Sequence, residues 1–169
     1  SLSNNKIRRI YEDKSGMLWI GTYEGGLNMF DRQTGKFAVF KNNPNDSLSI
    51  SCNEVWAIYE DKSGTLWIGT FGGGLNKMYD RTGKFKVYRD DRSFLDTLSG
   101  ILYPSNNNNI QCIYEDNSSI LWIGTFGGGL NKFDRITDKF SEDIVIKGQF
   151  IYSICEENSR TLWLGTSAG

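Results

Sequence analysis

The pentapeptide Leu-Trp-Ile-Gly-Thr stands at Leu18–Thr22, Leu66–Thr70 and Leu121–Thr125, and Leu-Trp-Leu-Gly-Thr stands at Leu162–Thr166. Self-similarity at a spacing of tens of residues means one supersecondary unit used several times. The intervals of 48, 55 and 41 residues define a unit of about 40 residues with one loop of variable length. Every unit reads alike. An apolar run ends in Glu-Asp or its equivalent, a turn follows, and then come Leu-Trp-Ile-Gly-Thr, a glycine cluster with Leu-Asn, a second turn and a final mixed run.

Four short strands per unit follow from this order. In the second unit they are predicted at about Glu54–Glu60, Thr65–Thr70, Gly74–Asp80 and Lys84–Arg89, rich in β-branched and aromatic residues and bounded by Asp, Ser and Gly. Gly64 and Gly83 close tight hairpin turns, where a positive φ is needed. No stretch has sustained helical periodicity, and only Ser93–Leu102 offers one helical turn. A sheet with one wet face alternates apolar and polar residues. Leu-Trp-Ile and Val-Trp-Ala-Ile are apolar on both faces, so both sides of each sheet must be covered. Small sheets stacked face to face around an axis meet that demand, with a stacked sandwich or solenoid as the alternative. The fold expected is therefore all-β, a partial β-propeller of about three and a half four-stranded antiparallel blades. The blades run approximately over 5–41, 53–90 and 108–146, with a half-blade at 149–169.

The clusters Gly72–Gly74 and Gly127–Gly129 suggest a phosphate loop at first sight. Such a loop runs from a strand into a helix whose amides hold the anion. Here the glycines lie between two strands with no Lys-Ser/Thr after them, so they serve close backbone approach instead. Other chemistry is also bounded. The chain has no histidine, which removes His-based acid–base catalysis and His–metal sites from this segment. Its 19 basic and 20 acidic residues are interspersed, giving no nucleic-acid footprint. No apolar run approaches the length of a membrane span. Cys52, Cys112 and Cys155 are odd in number and form no CxxC pair; Cys112 and Cys155 align with small or aromatic strand positions and read as packed free thiols.

With these residues in view, Glu60–Phe85, preceded by Asn45–Tyr59, closely resembles the two-component regulator propeller repeat. The pattern Glu-Asp-x-x-Gly-x-Leu-Trp-Ile-Gly-Thr-x-x-Gly-Gly-Leu-Asn recurs in phase across essentially the whole chain. The third unit departs from it with Asn117–Ile120, and the fourth stops after two strands. The resemblance implies the extracytoplasmic sensor region of a hybrid two-component histidine kinase of polysaccharide-degrading gut bacteria, periplasmic and anchored through a membrane helix elsewhere. The absence of histidine and of a convergent carboxylate pair adds the expectation of a segment without catalytic residues, metal or cofactor. Its partners would be an oligosaccharide signal and the neighbouring blades and sensor domains of the parent chain, with no nucleic acid or membrane contact by this segment. A protein–protein scaffold is the alternative, and a propeller lyase a more distant one, since lyases of this blade pattern rely on His and a metal.

If the strands run outward from the axis, the first and third turns of each unit fall on one face and the variable connections on the other. Loops carry function where a scaffold tolerates variation. Tyr23, Phe71 and Phe126 follow the three Leu-Trp-Ile-Gly-Thr motifs and could stack on sugar rings or plug the blade ends; Glu24 is the charged residue beside them. Arg89, Arg92 and Tyr103 border the longest connector. The tryptophans at 19, 67, 122 and 163 are expected to pack between blades, and the Glu-Asp pairs to form turns. Ile7, Ile10, Phe150, Tyr152 and Trp163 are expected on bare outer faces, making the isolated chain self-associate.

Overall fold

The structure, a computed structural model, describes residues 1–90, 94–96, 101–103, 108–141, 146, 148–158 and 161–168. Four antiparallel sheets follow one another along the chain. The first contains β1 (Ile7–Glu12), β2 (Leu18–Thr22), β3 (Leu27–Asp31) and β4 (Lys36–Phe40), hydrogen-bonded in that order. The second repeats it with β5 (Val55–Glu60), β6 (Leu66–Thr70), β7 (Gly74–Met78) and β8 (Phe85–Tyr88). Between the second and third sheets, β9 (Phe94–Asp96) and β10 (Ile101–Tyr103) pair as a small hairpin, so the expected helical turn at Ser93–Leu102 gives way to strands. The third sheet contains β11 (Ile110–Glu115), β12 (Leu121–Thr125), β13 (Leu130–Asp134) and β14 (Lys139–Phe140); the fourth pairs β15 (Ile151–Asn158) with β16 (Thr161–Thr166). The first strands β1, β5, β11 and β15 are neighbours in space and form the inner wall.

The double-sided apolar character of Leu-Trp-Ile-Gly-Thr now has a physical explanation. Alternate residues of a strand point to opposite faces. In β6, Leu66 and Ile68 enter the cluster shared with the first sheet, while Trp67 enters the cluster shared with the third. β12 behaves likewise, with Leu121 and Ile123 facing backward and Trp122 forward. Three hydrophobic clusters therefore fill the three inter-blade spaces. The motif glycine is the second half of each joint. A Cβ on Gly21 would lie 2.7 Å from Cγ1 of Val55, and one on Gly69 would collide with Ile110. On Gly124 it would meet Ile151 at 2.8 Å. The first residue of β5, β11 and β15 thus seats on the glycine of the preceding blade.

The face carrying the β1–β2, β5–β6 and β11–β12 turns is an electrostatic clamp. Asp61 Oδ1 accepts the amides of Ser63 and Thr65, each at 2.9 Å, and its Oδ2 accepts the Trp67 indole at 2.9 Å. Asp13 and Asp116 repeat this with Trp19 and Trp122, both at 2.8 Å. The next blade adds an arginine to the same oxygen: Arg81 reaches Asp13 and Arg135 reaches Asp61, both at 2.9 Å. The preceding glutamate also crosses a blade, Glu60 Oε2 accepting the Lys14 amide at 2.8 Å and Glu115 Oε2 the Lys62 amide at 2.6 Å. Burial pushes the Asp61 carboxyl up, but Ser63, Trp67, Thr65 and Arg135 together outweigh it and hold the group below its ordinary value. The Glu-Asp pair is a turn and an inter-blade staple.

The turns take their backbone from the same template. Gly16 and Gly64 have φ of 83° and 87°, and Ser119, at the equivalent position of the third unit, is forced to 63°. Left-handed backbone is costly for a residue with a Cβ.

Candidate ligand-binding face

The opposite face is built from the starts of the inner strands and the β2–β3, β6–β7 and β12–β13 connections. Thr22, Thr70 and Thr125 are fully buried and donate their hydroxyls to the carbonyls of Gly26, Gly74 and Gly129 at 2.9, 3.0 and 2.9 Å, pinning each loop. Asn28 and Asn76 bond across to the carbonyls of Ile20 and Ile68 at 3.4 and 3.2 Å. Their Oδ1 atoms accept the Ser3 and Ser51 amides at 3.0 and 2.9 Å, so they also hold the incoming connector. The residue after each threonine is fixed by its amide: Tyr23 donates to Lys6, Phe71 to Glu54 and Phe126 to Asn109.

Those three rings therefore sit beside the inner-strand starts and join a larger aromatic arc. Trp56 stacks on Phe71 at 4.7 Å between centroids and meets Phe126 edge-on at 5.7 Å. Phe126 stacks on Phe150 at 4.1 Å, and Phe150 meets Tyr152 at 6.5 Å. The Arg8 guanidinium lies 5.1 Å from the Tyr23 ring centre and 5.3 Å from Trp56, within cation–π range. Phe71 is exposed, and Tyr23 and Phe126 are half-buried. Phe150, expected on a bare face, is instead half-buried against Phe126.

A bulge at the head of every inner strand aims these side chains. Pairing jumps from Ile7↔Thr22 to Arg9↔Gly21, leaving Arg8 as the extra residue. The same irregularity leaves Trp56, Gln111 and Tyr152 in the other three sheets. Bulges re-aim side chains and are common beside functional sites. All four line one axial cavity of about 330 Å³.

The remaining sequence candidates stand outside the arc. Glu24 is exposed on the same face at φ 61°, where the other units place Gly72 and Gly127. Arg89 lies outside the cavity lining, at the end of the outer strand β8, its Nε 3.4 Å from the Gly73 carbonyl. Arg92 lies outside the described residues, and Tyr103 lies on β10, with its side chain outside them. Cys112 is packed as expected, burial pushing its thiol up to about 12. Cys155 is not packed but exposed, because the sheet carrying it has an open side. Among the described residues no group of three His, Cys, Asp or Glu side chains is placed to hold a metal ion.

Four consecutive sheets stacked about their first strands, clamped on one face and aromatic on the other, define a segment of a β-propeller. Residues 1–24, 49–72 and 104–127 match the family described as Two component regulator propeller. Those three stretches are two-component regulator propeller repeats. The extracellular domain of a one component system from B. thetaiotaomicron superposes with a TM-score of 0.65 at 27% identity, over 97% of this chain and 22% of that one. The extracellular domain of a hybrid two component system from the same organism gives 0.56 at 26% identity, over 98% and 26%. Virginiamycin B lyase from Staphylococcus aureus shares the fold, with a TM-score of 0.65 at 15% identity over 94% of this chain and 48% of that one. A stretch of 50 residues, 30% of this chain, is 50% identical to a histidine kinase of Formosa agariphila, of which it spans 3%. The chain thus corresponds to a small part of each regulatory relative.

Proposed function

We propose that this chain is a non-catalytic segment of an extracytoplasmic sensor region, periplasmic in its parent protein, that recognises an oligosaccharide and contributes to receptor assembly. The observation that carries the reading is the aromatic arc of Tyr23, Trp56, Phe71, Phe126 and Phe150 on the face opposite the turn clamp. Half-buried and exposed rings beside amide and guanidinium groups suit the apolar face and hydroxyl edge of a pyranose. The turn face is occupied with inter-blade bonds and has little left to offer a ligand. Its relatives among the B. thetaiotaomicron regulators are extracellular domains, which supports the location.

Calorimetric titration with oligosaccharides tests it. Replacing Tyr23, Phe71 and Phe126 together by alanine is expected to weaken binding, while Lys62→Ala and Ser63→Ala leave it unchanged. Equal losses from both sets in folded protein would contradict the assignment of faces.

A further inference from the structure

We propose that the axial cavity is a subsite for an anionic sugar, a pyranose carrying a carboxylate or sulfate, with Arg8 and Arg9 holding the anion and Trp56 and Tyr152 flanking the ring. This rests on the oligosaccharide reading above and makes it specific.

The first observation is internal to the repeat. The residue before the bulge is Ile7, Val55, Ile110 or Ile151, and two residues after it stands Ile10, Ile58, Ile113 or Ile154. In the second and third sheets those positions are buried between blades, and in the first sheet, which has no blade behind it, Ile7 and Ile10 are exposed. The bulged position between them is Arg8, Trp56, Gln111 and Tyr152, four different chemistries at one structural site. The position after it varies too, as Arg9, Ala57, Cys112 and Ser153, and both positions line the cavity; an inner wall that differs from blade to blade suits an asymmetric ligand.

The second observation is charge. Among the residues lining the cavity, the charged side chains are Arg8 and Arg9. The acid in contact with these residues is Glu54. Glu54 Oε1 accepts the Trp56 indole at 2.9 Å and stands 3.6 Å from Arg8, an ion pair without a hydrogen bond. Among the described residues neither arginine side chain donates a hydrogen bond, so their planar forks are available to an oxyanion. Tyr23 and Trp56 flank the Arg8 guanidinium and position it before any ligand arrives. A volume of about 330 Å³ lies within the range of small-molecule sites.

The test is calorimetry on the full chain with three trisaccharide probes of matched length: a galacturonate oligomer, a sulfated galactose oligomer and neutral galactose oligomer. At least one anionic probe is expected to bind about tenfold or more tighter than the neutral one, and to weaken as salt shortens the screening length. Arg8→Gln, at a half-exposed side chain, is expected to lose about tenfold for that probe and little for the neutral one. Trp56→Leu should weaken every probe that binds. Preference for carboxylate or sulfate identifies the anion. Equal binding of all three, unmoved by Arg8→Gln, overturns the anionic subsite and leaves the oligosaccharide reading standing. No binding by any probe at millimolar concentration, with the thermal melt intact, overturns both.

Discussion

Asp61 carries several duties with four atoms: it closes a turn, holds the Trp67 indole and receives Arg135 from the next blade. Trp67→Ala is therefore expected to cost about 3–5 kcal/mol, as for an aromatic removed from a core. Trp163, in the same motif but 64% exposed in the single chain, should cost less than about 1 kcal/mol at concentrations where the chain is monomeric. Thermal melts of the two variants check the contrast, and equal losses would contradict it. The clamp also sets a pH dependence. Asp13 and Asp61 are held below the ordinary 3.8, so their contribution is full above that value and is lost as pH falls through the lower folded values. The melting temperature should drop on acidification below about pH 4, and Asp61→Asn should flatten that drop; an equally steep drop would contradict it. Ser119→Gly, which relieves a φ of 63°, should raise stability by up to about 1 kcal/mol, read from the same melts. At this scale the sequence made the tryptophans legible, since Leu and Ile flank them. The indole–carboxylate bond was not legible, because nothing in a linear pattern says that residues six apart meet across a turn.

Strands are where the repeat is most informative. Predicted and observed bounds in the second unit differ by at most two residues, because apolar runs and turn glycines bracket each element. The β9–β10 hairpin escaped, lying in the longest of the connectors between units, where the repeat offers no template. The inner-strand bulges escaped too, although the signal was present: Arg8, Trp56, Gln111 and Tyr152 break an otherwise repeated aliphatic strand. The role of the motif glycine became evident only when blades were set side by side. Gly69→Ala should destabilise by about 1–3 kcal/mol, since its Cβ would strike Ile110 of the next blade. Gly165→Ala should cost less, because a Cβ there meets only Ser153 of its own sheet. Denaturant midpoints of the pair, taken at concentrations where the chain is monomeric, measure the difference; equal costs would mean the glycine is there for its backbone and not for the joint.

For the whole molecule, the two end sheets carry opposite halves of one joint. The first presents Ile7, Arg32 and Glu12, counterparts of residues that reach backward in later blades; the last presents Trp163, Glu157 and Gly165, counterparts of those that receive them. The isolated chain is therefore expected to pair head to tail with a second copy. Ile7→Asp and Gly165→Val should each be monomeric by light scattering, and mixing them should restore a dimer. A monomeric parent chain at tens of micromolar would contradict this. The central claim is the division of the molecule into a clamped face and a recognising face, and the five tryptophans sample both. Indoles of Trp19, Trp67 and Trp122 are bonded to the clamp carboxylates, whereas that of Trp56 is bonded to Glu54 beside the axial cavity. An indole ¹⁵N–¹H spectrum recorded during titration with the tightest-binding oligosaccharide reads them together. The Trp56 signal should move while those of Trp19, Trp67 and Trp122 stay in place; movement of the clamp indoles with Trp56 unshifted would put the ligand on the wrong face and contradict the account.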